Sequence, residues 1–91
     1  YSYNPQTHVV SAASANSFGN YTLIDNPLTN NNPNALLQVT ANWNPGGGSG
    51  IYNNAALGVW YDADSGRWSI YNQDLSPMPE GAAFNVIVSI P

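Results

Sequence analysis

No cysteine occurs in the 91 residues, so neither a disulfide framework nor a thiolate metal site is open to this chain. Basic residues are almost as scarce: Arg67 is the only one, and His8 is the only histidine. A single cation cannot neutralise a run of phosphates, which excludes nucleic acid and makes anionic membrane surfaces poor partners. One histidine without cysteine cannot fill a zinc site. Long apolar runs are missing too, and no basic-then-apolar leader is read, so the expectation is a soluble protein, cytoplasmic or secreted, with no membrane insertion. Charged residues make up only 7% of the chain; 43% hydrophobic and 12% aromatic residues nevertheless argue against a disordered polar tract.

Polarity is carried instead by Asn, Ser, Thr and Gln, which hydrogen-bond neutral partners and desolvate more cheaply than charges. A chain of this length makes one domain, residues 1–91, burying roughly 60–65% of its unfolded surface. Helix signals are nearly absent. Val, Ile, Thr and aromatic runs separated by Asn, Gly, Pro and Ser predict an all-β fold, a small antiparallel β-sandwich of about six strands.

The expected strands are residues 7–13, 21–25, 35–43, 56–62, 67–72 and 83–90, with a turn over 14–19. In the third, Leu37, Val39, Ala41 and Trp43 fall on one face and Gln38, Thr40 and Asn42 on the other. Inward positions of the last are Phe84, Val86, Val88 and Ile90. The clearest unit is a hairpin whose loop, Ala63 to Gly66, ends on a glycine where positive φ is wanted. Placing Asp62 opposite Arg67 sets Trp60 opposite Ser69 and Gly58 opposite Tyr71. These six share one face and include an ion pair, with Gly58 leaving a dent; Leu57, Val59, Tyr61, Trp68 and Ile70 face the core.

Residues 42–74 hold all three tryptophans, Arg67, three tyrosines and a set of amides. Flat aromatic faces beside neutral amides suit an uncharged polyol, a sugar, better than a phosphate or a metal. The glycine-rich loop at 45–50 lacks the Lys-Ser/Thr ending and following helix of a nucleotide loop. His8 has no Gly-x-Ser-x-Gly elbow to serve and reads as a polar strand residue. Asp62 and Asp64 read as turn residues, and with Asp74 they are too few for a calcium loop. A glycosidase needs two carboxylates at a set spacing, and five acids in so small a domain make catalysis unexpected. No cofactor or metal is expected. Asn20-Tyr21-Thr22 is a glycosylation sequon.

Candidate carbohydrate-binding residues are Asn42, Asn44, Tyr52, Asn53, Asn54, Trp60, Asp62, Arg67, Tyr71 and Asp74. For Trp60, sugar stacking and a dimer interface are both open. The asparagines read equally as turn-forming amides.

From residue 33 to 86 the blocks Pro-Asn-Ala, Asn-Trp-Asn-Pro-Gly-Gly, Tyr-Asn-Asn, Gly-Val-Trp-Tyr-Asp, Arg-Trp, Asn-Gln-Asp, Met-Pro and Gly-Ala-Ala-Phe-Asn-Val follow in order. This resembles a small β-sandwich domain that stands alone in fungi and is a module of larger bacterial proteins. The free-standing members it is similar to are the small mushroom α-galactosyl lectins of the Lyophyllum type. The resemblance implies a non-enzymatic, homodimeric lectin binding terminal Galα1-4Gal (galabiose) units on glycolipids or glycoproteins. It transfers no individual sugar contact, and the bland loop at 46–50 with Ala55 and Ala56 departs from the bacterial copies, which leaves the sugar preference open. The alternative from another class is a structural or protein-interaction module with Trp60 and Tyr71 as its docking patch.

Overall fold

The computed structural model describes residues 6–47 and 50–90. Two antiparallel sheets face each other. The strands are β1 (Thr7–Ser11), β2 (Ser17–Phe18), β3 (Tyr21–Leu23), β4 (Leu36–Ala41), β5 (Leu57–Asp62), β6 (Arg67–Asn72) and β7 (Ala83–Ser89), with a 3-10 turn at Pro45–Gly47. One sheet has the order β1-β7-β4 and the other β2-β3-β6-β5. The all-β sandwich is therefore present; the additional element is β2, a two-residue strand inside the expected turn, pairing with β3.

The central strand β7 supplies the core of the three-stranded sheet. Its alternation sends Phe84, Val86 and Val88 inward, each under 5% exposed, and Asn85, Ile87 and Ser89 outward. Ile70 from β6 and Ile24 just after β3 meet them from the other sheet, and Val10, Leu28, Leu37, Val39, Leu57, Val59 and Trp68 close the rim. Each fully buried aliphatic or phenyl side chain contributes about 1.5–3 kcal/mol. Polar groups are buried as well: Thr22, Asn26, Thr29, Ser69 and Asn72 are fully enclosed. Among the described residues no buried side-chain nitrogen or oxygen lacks a hydrogen bond. Asn72 illustrates how. Its Oδ1 accepts from Asn53 at 2.7 Å and its Nδ2 donates to the Ser76 carbonyl at 3.1 Å.

Several expectations are corrected. Strand β4 stops at Ala41, so the alternation that was to carry Trp43 inward has ended; Trp43 lies in a bend, 48% exposed. Ala41 is exposed as well. Ile90 follows the last ladder residue, Ser89, and is also exposed. The first strand ends at Ser11, where the backbone turns; Ala12 is buried and donates its N–H to the Ala82 carbonyl.

The hairpin β5–β6 has the expected register: Asp62 opposite Arg67, Trp60 opposite Ser69, Gly58 opposite Tyr71. Gly66 takes φ +70°, and its N–H donates to the Asp62 carbonyl at 2.8 Å. The expected ion pair across the hairpin does not form. Asp62 turns back onto its own loop, accepting from the Asp64 N–H at 3.1 Å and the Ser65 hydroxyl at 3.0 Å. Arg67 instead reaches past β3 to Asp25, with Nη1 3.3 Å from Oδ1. A short carboxylate at a turn satisfies local N–H groups first, which leaves the long guanidinium free for Asp25, two residues beyond the end of β3.

Candidate functional site

Strand pairing aligns the outward residues of the four-stranded sheet in rows. One row is Tyr21, Tyr71 and Gly58; the next is Leu23, Ser69 and Trp60. Phe18, opposite Tyr21 on β2, extends the first, with its ring centroid 5.9 Å from that of Tyr21. Gly58 leaves no dent, because the Tyr71 ring occupies it. A Cβ at Gly58 would stand 2.5–2.7 Å from Tyr71 ring and hydroxyl atoms. The glycine is the seat that lets this tyrosine lie down on the sheet.

A pocket of about 400 Å³ opens among Asn20, Tyr21, Trp60, Ser69 and Tyr71. Ser69 is its floor: it faces outward yet is fully covered, and its hydroxyl donates to the Trp60 carbonyl at 3.1 Å. Trp60 is 56% exposed and offers an open ring face. Asn20 is held by two bonds to Asn72, donating its Nδ2 to the Asn72 carbonyl at 2.9 Å and accepting the Asn72 N–H on its own carbonyl. Its Oδ1 makes no hydrogen bond among the described residues, and Asn20 is part of the pocket lining. No charged side chain lines this pocket. The same bonds bear on the sequon: the Asn20 amide nitrogen is tied to Asn72, and Thr22 is fully buried with its hydroxyl 2.9 Å from that of Ser17.

The ten candidate residues do not form one site. Trp60 and Tyr71 share the pocket just described. Asn42, Tyr52 and Asn53 line a second, smaller pocket of about 200 Å³ with Trp43 and Ile51. Arg67 belongs to a third region, a groove of about 400 Å³ beside His8, Asn16, Leu23 and Asp25. Asn44 holds the glycine loop, its carbonyl accepting from the Gly47 N–H, and Asn54 is exposed, lining neither aromatic pocket. Asp62 and Asp74 are turn caps. Asp74 accepts from the Ser76 hydroxyl at 2.6 Å and the Ser76 N–H at 2.9 Å, and these bonds hold its carboxyl below the usual aspartate range. His8 packs on Asn26, whose Nδ2 lies 3.2 Å from its Nε2. Among the described residues no group of three or more His, Cys, Asp or Glu side chains could hold a metal ion, and no helix is long and apolar enough to cross a membrane.

Sequence reasoning missed Asn20 and Tyr21 as site residues. They join Trp60 only through the β3–β6 pairing, between segments some fifty residues apart, which no local pattern encodes. The available signal was the alternation of Tyr21 with Thr22, which gives β3 an aromatic outward position.

Comparison of the chain with curated proteins and with solved structures gives no match. Residues 2–88 match the family model described as Domain of unknown function (DUF7452), and the chain belongs to that family.

Proposed function

We propose that this domain is a non-catalytic lectin, binding neutral glycans in the pocket between Trp60, Tyr71 and Tyr21. The observation that carries the reading is that pocket: open aromatic rings around a small polar floor, with an amide and no charge in the lining. A pyranose has one apolar C–H face and a rim of hydroxyls. The face stacks on Trp60, for about 0.5–1.5 kcal/mol beyond area burial. The hydroxyls meet the Asn20 side-chain Oδ1 and the tyrosine hydroxyls at about 0.5–1.5 kcal/mol per bond. One such site corresponds to weak binding, with a dissociation constant on the order of 1 mM. Hydrolysis needs a carboxylate pair, and none lines this pocket.

Preference for terminal α-galactosyl units, galabiose in particular, rests on the ordered blocks at 33–86 and their resemblance to the mushroom lectins. The homodimer implied by the same resemblance would carry two such pockets and gain by avidity. The competing reading, a protein-docking patch, uses the same rings, and the exposed Phe18 beside Tyr21 favours it by widening the apolar area. A glycan array on the isolated domain separates the two. Selective α-galactosyl hits support the lectin; an array with no hits supports docking.

A further inference from the structure

The pocket at the end of β4 is built from a different kind of aromatic arrangement. Trp43 and Tyr52 lie nearly parallel, ring centroids 5.1 Å apart and planes 16° from one another. One face of Tyr52 is against the indole, and the residue remains 67% exposed. Gly50 lies against the Cδ1–Nε1 edge of the indole, where any side chain would run into both the carbonyl and the ring of Trp43. The Ile51 N–H donates to the Trp43 carbonyl at 3.2 Å and pins the two ends of the glycine loop together. Two large rings are thus left near water, stacked on one another.

The polar groups beside the rings are hydrogen-bonded. Asn42 donates its Nδ2 to Asn85 Oδ1 at 2.8 Å, and Asn53 donates its Nδ2 to Asn72 Oδ1 at 2.7 Å. Each bond engages the amide nitrogen, and neither Oδ1 makes a hydrogen bond among the described residues. Asn42, Trp43, Ile51, Tyr52 and Asn53 carry no charge, and the lining shares no residue with the Trp60 pocket. The volume, about 200 Å³, is half that of the Trp60 pocket. That suits a single sugar ring rather than a disaccharide.

We infer that the Trp43–Tyr52 pocket is a second carbohydrate site, taking one neutral pyranose on the outer face of Tyr52 with hydroxyls on the Asn42 and Asn53 Oδ1 atoms. The inference rests on the reading of the domain as a glycan binder and adds that one chain is bivalent. A single copy then bridges two glycan ends without a partner subunit, and its avidity depends on the spacing of those ends.

The three indole N–H groups are separate reporters. Trp60 reports the first pocket and Trp43 the second. Trp68, whose Nε1 donates to the Asn32 carbonyl at 2.9 Å on the core side, is an internal control. Nitrogen–proton correlation spectra of the chain are recorded during titration with methyl α-galactoside. The Trp43 and Trp60 signals should both move, with Trp43 saturating at the higher sugar concentration, and the Trp68 signal should stay. Tyr52→Ala removes an exposed ring and should abolish the Trp43 response while leaving that of Trp60. Movement of Trp60 alone overturns the second site and leaves the first. A Trp43 response that survives Tyr52→Ala overturns it as well, because the sugar would not be on that ring. Movement of Trp43 alone supports this site and overturns the pocket at Trp60. If neither signal moves, both readings fall.

Discussion

Trp60 and Trp68 lie on adjacent strands of one hairpin and have opposite surroundings. Trp68 packs against the core cluster, donates its indole N–H to the Asn32 carbonyl at 2.9 Å and meets Tyr61 edge-on at 5.6 Å. Trp60 is 56% exposed on the other side of the sheet, over a serine floor. Residue type does not separate them; strand parity does, because successive side chains alternate between faces and the hairpin loop fixes which face each strand shows. An aromatic in a thin sandwich stabilises the fold or meets a ligand according to that parity.

The comparison breaks most readily at Trp68. Trp68→Ala should cost about 3–5 kcal/mol through the cavity it opens, a large part of the roughly 5–10 kcal/mol available to a domain this small. Melting should fall steeply; a near-normal melt would mean that the inner face is not held by this ring. The outer face is sharpened by Gly58→Val. Its Cβ must displace the Tyr71 ring, so the variant should lose about 1–3 kcal/mol to overpacking and bind galabiose more weakly. Full binding by a folded Gly58→Val chain would remove Tyr71 from the site.

The charged edge of the outer face gives a smaller effect. Arg67 and Asp25 are 36% and 79% exposed, so their pair contributes at most ~0.2–1 kcal/mol, and less in high salt. A double-mutant cycle should find coupling between Arg67 and Asp25 and none between Arg67 and Asp62; coupling to Asp62 would restore the cross-hairpin pair. The smallest effect comes at Asp74, beyond β6. Because the folded carboxyl sits below its ordinary value of 3.8, its contribution is present above that value and lost as pH falls through the lower folded one. Acid melts of wild type and Asp74→Asn should therefore converge as pH drops below 3.8. A difference that grows in acid would reverse the sign.

Local signals carried the hairpin. Alternation, a four-residue loop and Gly66 were enough to set its register and both faces, and to place Phe84, Val86 and Val88 inside. What the chain does not display locally is where each alternating run stops. Trp43 and Ile90 continue the pattern on paper but lie past the last ladder bonds of β4 and β7, so parity no longer governs them. The partner of Arg67 was hidden for a related reason. Register fixes which Cα atoms oppose each other, but a long side chain chooses among all carboxylates within reach, and Asp62 was already engaged by its turn. Likewise ten neighbouring candidates became separate regions because Trp60 stays within β5, on the outer face of its sheet, whereas Asn42 and Tyr52 lie in the chain beyond the end of β4.

Calorimetric titration of Trp60→Ala with galabiose, beside its thermal melt, tests the central claim most directly. The ring is exposed, so the variant should melt within about 1 kcal/mol of wild type. Loss of the stacking surface should weaken binding at the larger pocket about tenfold, the equivalent of about 1.4 kcal/mol. A folded Trp60→Ala chain that binds galabiose as tightly as wild type would contradict the account.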